Sequence, residues 1–265
     1  MKELLELAIR LSIEAGKEVL SIYREDFAIS KKSDNSPLTI ADITSHRILM
    51  HGLTKTGIPV LSEEGKDTPY ERRKDWPHFW LVDPLDGTKE FINRNGEFTI
   101  NIALIEGRRP VLGVIYAPAK DLLYYSLRAE GAWRRQGNEV KRLVSNREAQ
   151  TNLIRVVGSR SHHSREVDDF ISRLKVYYKE IEFLQAGSSL KFCLVAEGSA
   201  DIYPRFTPTM EWDTAAGQAI VEEAGGAVLA LDGSPLSYNK MELKNSGFIG
   251  VRKIEYKKIA DNSAI

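Results

Sequence analysis

Residues 97–118, EFTINIALIEGRRPVLGVIYAP, and 121–137, DLLYYSLRAEGAWRRQG, are alternating or apolar segments joined by Gly, Pro and Arg-rich turns. The pattern predicts consecutive sheet strands. Two helical patterns precede it. In residues 1–25, Leu4, Leu7, Ala8, Leu11, Ala15, Val19 and Ile22 fall at helical spacing, which predicts an amphipathic helix packed on a core. ADITSHRILMHGLTKTG, residues 41–57, is the second. Helices followed by a meander of strands predict a layered α+β fold. From about residue 151 the pattern becomes an alternation: NLIRVVGSR as strand, HHSREVDDFISRLK as helix, IEFLQAG as strand, SSLKFCLVAEGSA as helix, DIYPRF as strand and EWDTAAGQAIVEEAGG as helix. We therefore expect two subdomains, 1–150 and 151–265. With no Gly/Ser linker or repeat between them, they should form one rigid body whose interface is the candidate site.

Composition narrows the function classes. The 265 residues carry 37 basic and 37 acidic side chains, a formal net charge of zero, so no global field draws the protein to nucleic acid polymers or anionic lipid. Residues 1–25 carry charges throughout, unlike a signal peptide, and no window approaches the ~18 apolar residues of a membrane span. The expected location is cytoplasmic, with peripheral membrane association and oligomeric state left open. The single cysteine, Cys193, lies in the apolar run KFCLVAEG and reads as a buried, inert thiol.

The chemistry concentrates in FWLVDPLDGTKEF, residues 79–91, where an apolar strand runs into Asp83 and Asp86 with a proline between them. Asp-Pro and Asp-Gly are common turn dipeptides, so this could be only a strand end. Other acids follow the same habit: Glu63 and Glu64 after the strand IPVLSEEG, Asp42 in a first helical turn, and Asp213 at the start of another helix. Taken singly, Asp213 reads equally well as a helix cap, Asp42 as a complement to the helix dipole and the Glu63-Glu64 pair as a solvated loop. Taken with the DPLDGT string, Glu63, Asp83, Asp86 and Asp213 read as a set of hard oxygen ligands suited to magnesium and a substrate phosphate. Pro84 lets the strand turn, the Leu85 carbonyl can point inward, and Gly87 lets backbone approach a phosphate. No Gly-x-Gly-x-x-Gly loop, Walker lysine, Gly-x-Ser-x-Gly elbow or paired zinc histidines appear, and the aspartates are spaced wrongly for an aspartyl-phosphate route.

LVDPLDGTKEF together with EWDTAAGQAIVEEAGG resembles the two signature motifs of the inositol monophosphatase superfamily of lithium-sensitive, magnesium-dependent phosphatases. VLSEE, NGEFTINIALI, GSRSHH, GSSLKFCLVAEG and YPRFTPTMEWDTAAG look most like its bacterial CysQ-type branch of 3′(2′),5′-bisphosphate nucleotidases. The resemblance runs from about residue 4 to 250, weakest in the 64–78 loop and after Lys253.

It implies a layered αβαβα sandwich of the inositol monophosphatase and sugar phosphatase type. It implies removal of the 3′-phosphate of adenosine 3′,5′-bisphosphate to give AMP, in sulfur assimilation, with a sulfated analogue as a second substrate. The implied cofactor is magnesium, two or three ions per site. Glu63, Asp83 and the Leu85 carbonyl would hold one ion; Asp83, Asp86 and Asp213 another; a third, looser ion would join at Glu63. Asp42 and Thr88 would orient and deprotonate the attacking water, with Glu63 in a catalytic role beside them. Gly87, Thr88, Ser188, Lys191, Arg205, Asp213 and His162 are the expected substrate contacts, with His162 not separable from His163. Lys191 and Arg205 could equally be solvated charges, and an inositol-1-phosphate or sugar phosphate phosphatase on the same fold is the alternative. A non-catalytic nucleotide sensor would need a broken catalytic position, whereas Asp42, Glu63, Asp83, Asp86, Thr88 and Asp213 are all intact.

Overall fold

The computed structural model of the chain describes residues 1–25, 29–31, 37–65, 68–144, 152–159 and 165–253. Helices α1 (Lys2–Arg24) and α2 (Ile40–Leu53) flank a small hairpin of β1 (Ile29–Lys31) and β2 (Pro37–Thr39). Strand β3 (Val60–Ser62), a one-turn helix α3 (Tyr70–Arg73), β4 (His78–Asp86) and a short α4 (Thr88–Ile92) follow. The expected meander then appears as β5 (Thr99–Glu106), β6 (Arg109–Ala117), β7 (Leu122–Leu127) and β8 (Gly131–Gln136), extended by β9 (Glu139–Leu143). These form a seven-stranded sheet in the order β3-β4-β5-β6-β7-β8-β9, antiparallel except at the parallel β3–β4 pair.

The remaining chain alternates as expected through β10 (Leu153–Ser159), α5 (Arg165–Leu174), β11 (Glu180–Ala186), α6 (Leu190–Ala196) and β12 (Ile202–Arg205). Then come β13 (Thr209–Met210), α7 (Glu211–Glu223), β14 (Ala227–Ala230), β15 (Lys244–Asn245) and β16 (Phe248–Val251). The second sheet has the order β11-β10-β12-β16-β14; β10 is parallel to its neighbours, and β16 runs antiparallel to both of its own. The 64–78 loop contains α3, and the two C-terminal strands β14 and β16 add to the alternation read from the sequence.

Side-chain alternation builds the layers. On β4, Trp80 and Val82 join Leu5, Leu11, Leu49 and Leu53 of α1 and α2 on one face. Phe79 and Leu81 point the other way, into a core shared with Phe192 of α6, Ile220 of α7 and Tyr203 and Phe248 of the smaller sheet. Beyond that sheet, Ile154, Val156 and Ile249 pack on Phe170 and Leu174 of α5. The order is helices, sheet, helices, sheet, helix: the αβαβα sandwich. Helix α7 is buried nearly all round, from Thr214 to Val221, as a helix between two sheets must be. No described helix is long and apolar enough to cross a membrane.

The approach of α7 to the larger sheet sets where its first turn lies. A Cβ on Gly113 of β6 would meet the Ala216 carbonyl oxygen at 2.5 Å and Ala219 Cβ at 2.8 Å. Gly113→Ala should therefore push α7 outward and cost about 1–3 kcal/mol, as overpacked cores do. Urea denaturation should show a lower midpoint at an unchanged slope, and a midpoint equal to that of the parent would contradict this packing.

Candidate active site

The inner face of the larger sheet turns polar at the end of β4. Along β4, Phe79 and Leu81 give way to Asp83, which pairs with Asn101 of β5. The register explains the spacing of the two aspartates. Asp83 lies opposite Asn101 and Asp86 opposite Thr99, so β4 takes three steps where β5 takes two. That extra residue makes a β-bulge. In an unbroken strand, residues three apart face opposite sides; the bulge brings Asp86 onto the face of Asp83. Pro84 sits within it, where its missing N–H costs no ladder bond, and its carbonyl accepts a hydrogen bond from Ser45 Oγ of α2 at 2.7 Å. Glu63 arrives beside Asp83 because its N–H extends the parallel ladder to the Val82 carbonyl at 3.1 Å.

Two further acids come from helix starts, and each also serves its helix. Asp42 is buried, and its Oδ2 accepts from the backbone N–H of Thr39 at 2.7 Å and the Thr39 hydroxyl at 2.6 Å, closing a capping box on α2. Its Oδ1 accepts from the Thr88 hydroxyl at 3.2 Å. Asp213 Oδ2 accepts from Met210 N–H at 2.8 Å at the start of α7. In each of these residues one carboxylate oxygen holds the helix end.

Glu63, Asp86, Gly87, Thr88, Ser188, Lys191, Arg205 and Asp213 line one cavity of about 220 Å³ between the two sheets. Asp83 lies buried behind it, its Oδ1 accepting from Leu85 N–H at 3.1 Å. Burial first, then the charges of Glu63, Asp86 and Asp213, hold the Asp83 carboxyl well above the usual carboxylate range, and it shares a hydrogen bond with Glu63. Burial and the charge of Asp86 raise Asp213 in the same way. Gly87 takes a left-handed conformation, φ 87°, as the chain turns from the bulge into α4, which a side chain would oppose.

Hard carboxylate oxygens crowded until they repel one another, with the Leu85 carbonyl close by, are a donor set that fits a divalent cation such as magnesium. Among the described residues, no three His, Cys, Asp or Glu side chains converge on one coordination point. Of the expected ligands, Glu63, Asp86 and Asp213 share the pocket wall, and Asp83 behind it shares their excess of negative charge.

The cations differ from the solvated alternative. Lys191 is 5% exposed. Its Nζ donates to the Ser188 carbonyl at 2.5 Å and more distantly to the Ala186 carbonyl at 3.4 Å, 5.5 Å from the centre of the Tyr203 ring. Burial pushes its pKa down to about 8 against the opposing pull of Asp86. Arg205 lines the cavity with a buried Nε that has no hydrogen-bond partner, an anion donor in waiting. Phe192, Tyr203 and Phe248, in mutual ring contact, supply an apolar wall. His162 and His163 lie outside the described residues. Cys193 is buried, and its thiol is raised by burial.

The sequence does not single out Thr39, Asn101 and Ser189, which hold the acids, or Ser45, which holds the Pro84 carbonyl of the bulge. Only Thr39 carried a usable signal, a Thr three residues before an Asp at a helix start.

The inositol monophosphatase family profile matches residues 1–263. The 3′(2′),5′-bisphosphate nucleotidase CysQ of Shigella flexneri is 47% identical over 252 residues, spanning 92% of this chain and 98% of that protein. The protein of the same name from Buchnera aphidicola is 41% identical over 254 residues, 93% of each chain. The crystal structure of CysQ from Bacteroides thetaiotaomicron superposes with a TM-score of 0.85 at 44% identity, covering 95% of this chain and 98% of that one. At 24% identity, the extragenic suppressor protein suhB of Bartonella henselae shares the fold, with a TM-score of 0.78 over 98% of this chain and 99% of its own.

The raised carboxyls carry a stability consequence. A carboxyl whose folded pKa lies above its unfolded value of about 3.9 has no effect below that value and costs stability as pH rises through the folded one. In chelator at pH 8, Asp83→Asn should therefore melt above the parent, on the order of 2–4 °C for each kcal/mol of repulsion relieved. The difference should vanish near pH 4. A variant that melts below the parent at pH 8 would show that Asp83 is held by attraction.

Proposed function

The chain belongs to the inositol monophosphatase family, and we propose that it is a magnesium-dependent 3′(2′),5′-bisphosphate nucleotidase that converts adenosine 3′,5′-bisphosphate to AMP and phosphate. The observation that carries the reading is one cavity that pairs Glu63, Asp86 and Asp213, with Asp83 buried behind them and repelled by all three, with the unpartnered Arg205 Nε. A substrate with two phosphates answers both: one phosphate lies with the acids and their cations, the other at the guanidinium. The curated relatives named above, matched over nearly their whole length, favour the nucleotide over inositol-1-phosphate or a sugar phosphate. We place the activity in sulfur assimilation and in the cytoplasm, with the sulfated analogue as a second substrate and lithium as an inhibitor.

Glu63, Asp83, Asp86, Asp213 and the Leu85 carbonyl would hold magnesium, which would supply charge neutralisation at the phosphate and a more acidic water. The chain's own residues do the rest. Asp42 is fixed through Oδ2 by Thr39, leaving Oδ1 to receive the Thr88 hydroxyl. Thr88 Oγ1 is thereby turned to accept a proton from a water while its own proton passes to Asp42 Oδ1. The water oxygen attacks phosphorus in line as the bond to the ribose 3′ oxygen breaks, and the leaving oxygen takes a proton from solvent water to become the 3′-hydroxyl of AMP. Arg205 binds the phosphate that is kept, charge-assisted and shielded from solvent by the aromatic wall. Lys191 supports the 186–188 turn from beneath through its two carbonyl bonds.

Thr88→Ala should lower kcat by about 10²–10⁴ with little change in KM. A change confined to KM would place the hydroxyl on the substrate instead. The reading as a whole is tested by phosphate release from adenosine 3′,5′-bisphosphate, AMP, inositol-1-phosphate and fructose-1,6-bisphosphate, with magnesium and with chelator. The adenosine bisphosphate should be preferred and chelator should abolish release. In Arg205→Ala, KM for the bisphosphate should rise by the equivalent of about 1.5–3 kcal/mol, while monophosphates change little; equal losses on both would remove the bisphosphate assignment.

A further inference from the structure

Ser189 is the N-cap residue of α6, yet its hydroxyl makes no capping bond to that helix. It is 2% exposed and points instead at the end of β4, donating to Asp86 Oδ2 at 2.6 Å. The same hydroxyl accepts from Asn101 Nδ2 at 2.8 Å and lies 3.3 Å from the Asp213 carbonyl oxygen. Asp86 Oδ2 also receives Ser188 Oγ at 2.6 Å and, weakly, Asn101 Nδ2 at 3.4 Å. One carboxylate oxygen thus carries every side-chain donor that reaches Asp86, and among the described residues the other, Oδ1, takes no hydrogen bond. A serine at an N-cap ordinarily stabilises its own helix; here that contribution is given up to hold an acid on another element.

We propose that Ser189 is a positioning residue for cation binding, fixing the Asp86 carboxylate by one oxygen so that Oδ1 is left for the metal, and tying it to the α7 turn that carries Asp213. Ser188 shares the load but is itself held in a left-handed conformation, φ 53°, so Ser189 is the donor whose removal perturbs the backbone least. The inference rests on the magnesium reading above. Groups that orient metal ligands typically change metal affinity about 10–100-fold when removed.

The test is a titration of the metal-free protein with Mn²⁺, followed by electron paramagnetic resonance without substrate, beside the melting temperature in chelator. Ser189→Ala should weaken Mn²⁺ binding about 10–100-fold and raise the magnesium concentration for half-maximal phosphate release by a similar factor. Its chelator melting temperature should stay near that of the parent. Ser189→Cys, close in volume but a weaker donor, should fall between the two, and it serves if the alanine variant does not fold. Unchanged Mn²⁺ affinity in either variant, with or without loss of turnover, overturns the proposal. If the parent itself bound no Mn²⁺, the magnesium reading would fail, and this inference with it.

Discussion

Carboxylates held close together in a shielded cavity repel one another, and the architecture around this site opposes that repulsion at each member. Asp83 is pinned by the backbone of its own bulge and by Glu63, Asp86 by two serine hydroxyls and an amide, Asp213 by the first turn of α7. None of these restraints brings a positive charge onto an acid. An ion pair would satisfy the carboxylates and close them to a metal; neutral donors fix their positions and leave the charge available. The raised carboxyls of Asp83 and Asp213 are the physical record of that choice.

The layered fold could be read directly because each layer shows a local period. The meander from β5 to β8 alternates, α1 repeats at helical spacing, and the strand-helix alternation after residue 151 marks the second sheet. What escaped reading lacks a local signal. Strands β14 and β16 are four-residue apolar runs separated by turns and loops, and their pairing is purely tertiary. The one-turn α3 is too short for any period to appear. The bulge in β4 is invisible because an extra residue is recognised only against the partner strand; the segment therefore reads as a strand ending at Val82, whereas the strand continues to Asp86.

At the site, the acids were legible as types and as a set, and their spacing was the clue. Asp42 reads as a complement to the helix dipole or as an acid beside Thr88, and its two oxygens take both kinds of partner, Oδ2 the helix end at Thr39 and Oδ1 the Thr88 hydroxyl. Lys191 shows the opposite limit. A lysine near a helix start reads equally as a substrate contact or a solvent-facing charge, and only the carbonyls of Ala186 and Ser188 and the Tyr203 ring, brought together by folding, explain why it is buried. The supporting residues Ser45, Asn101 and Ser189 are ordinary polar side chains whose meaning lies entirely in what they touch.

The bonds from Ser188 and Ser189 to Asp86 span 102 and 103 residues of chain. During synthesis, every strand of the larger sheet, through Leu143, leaves the ribosome well before either serine does. For that interval Asp86 exists without the two hydroxyls that restrain it, and Asp83 without the neighbouring charge of Asp213. The amino-terminal sheet can be assembled while its acidic edge is still open. Asp213 joins Glu63, Asp83 and Asp86 only once α7 has been made, so the four carboxylates first meet late in synthesis, after the larger sheet has emerged.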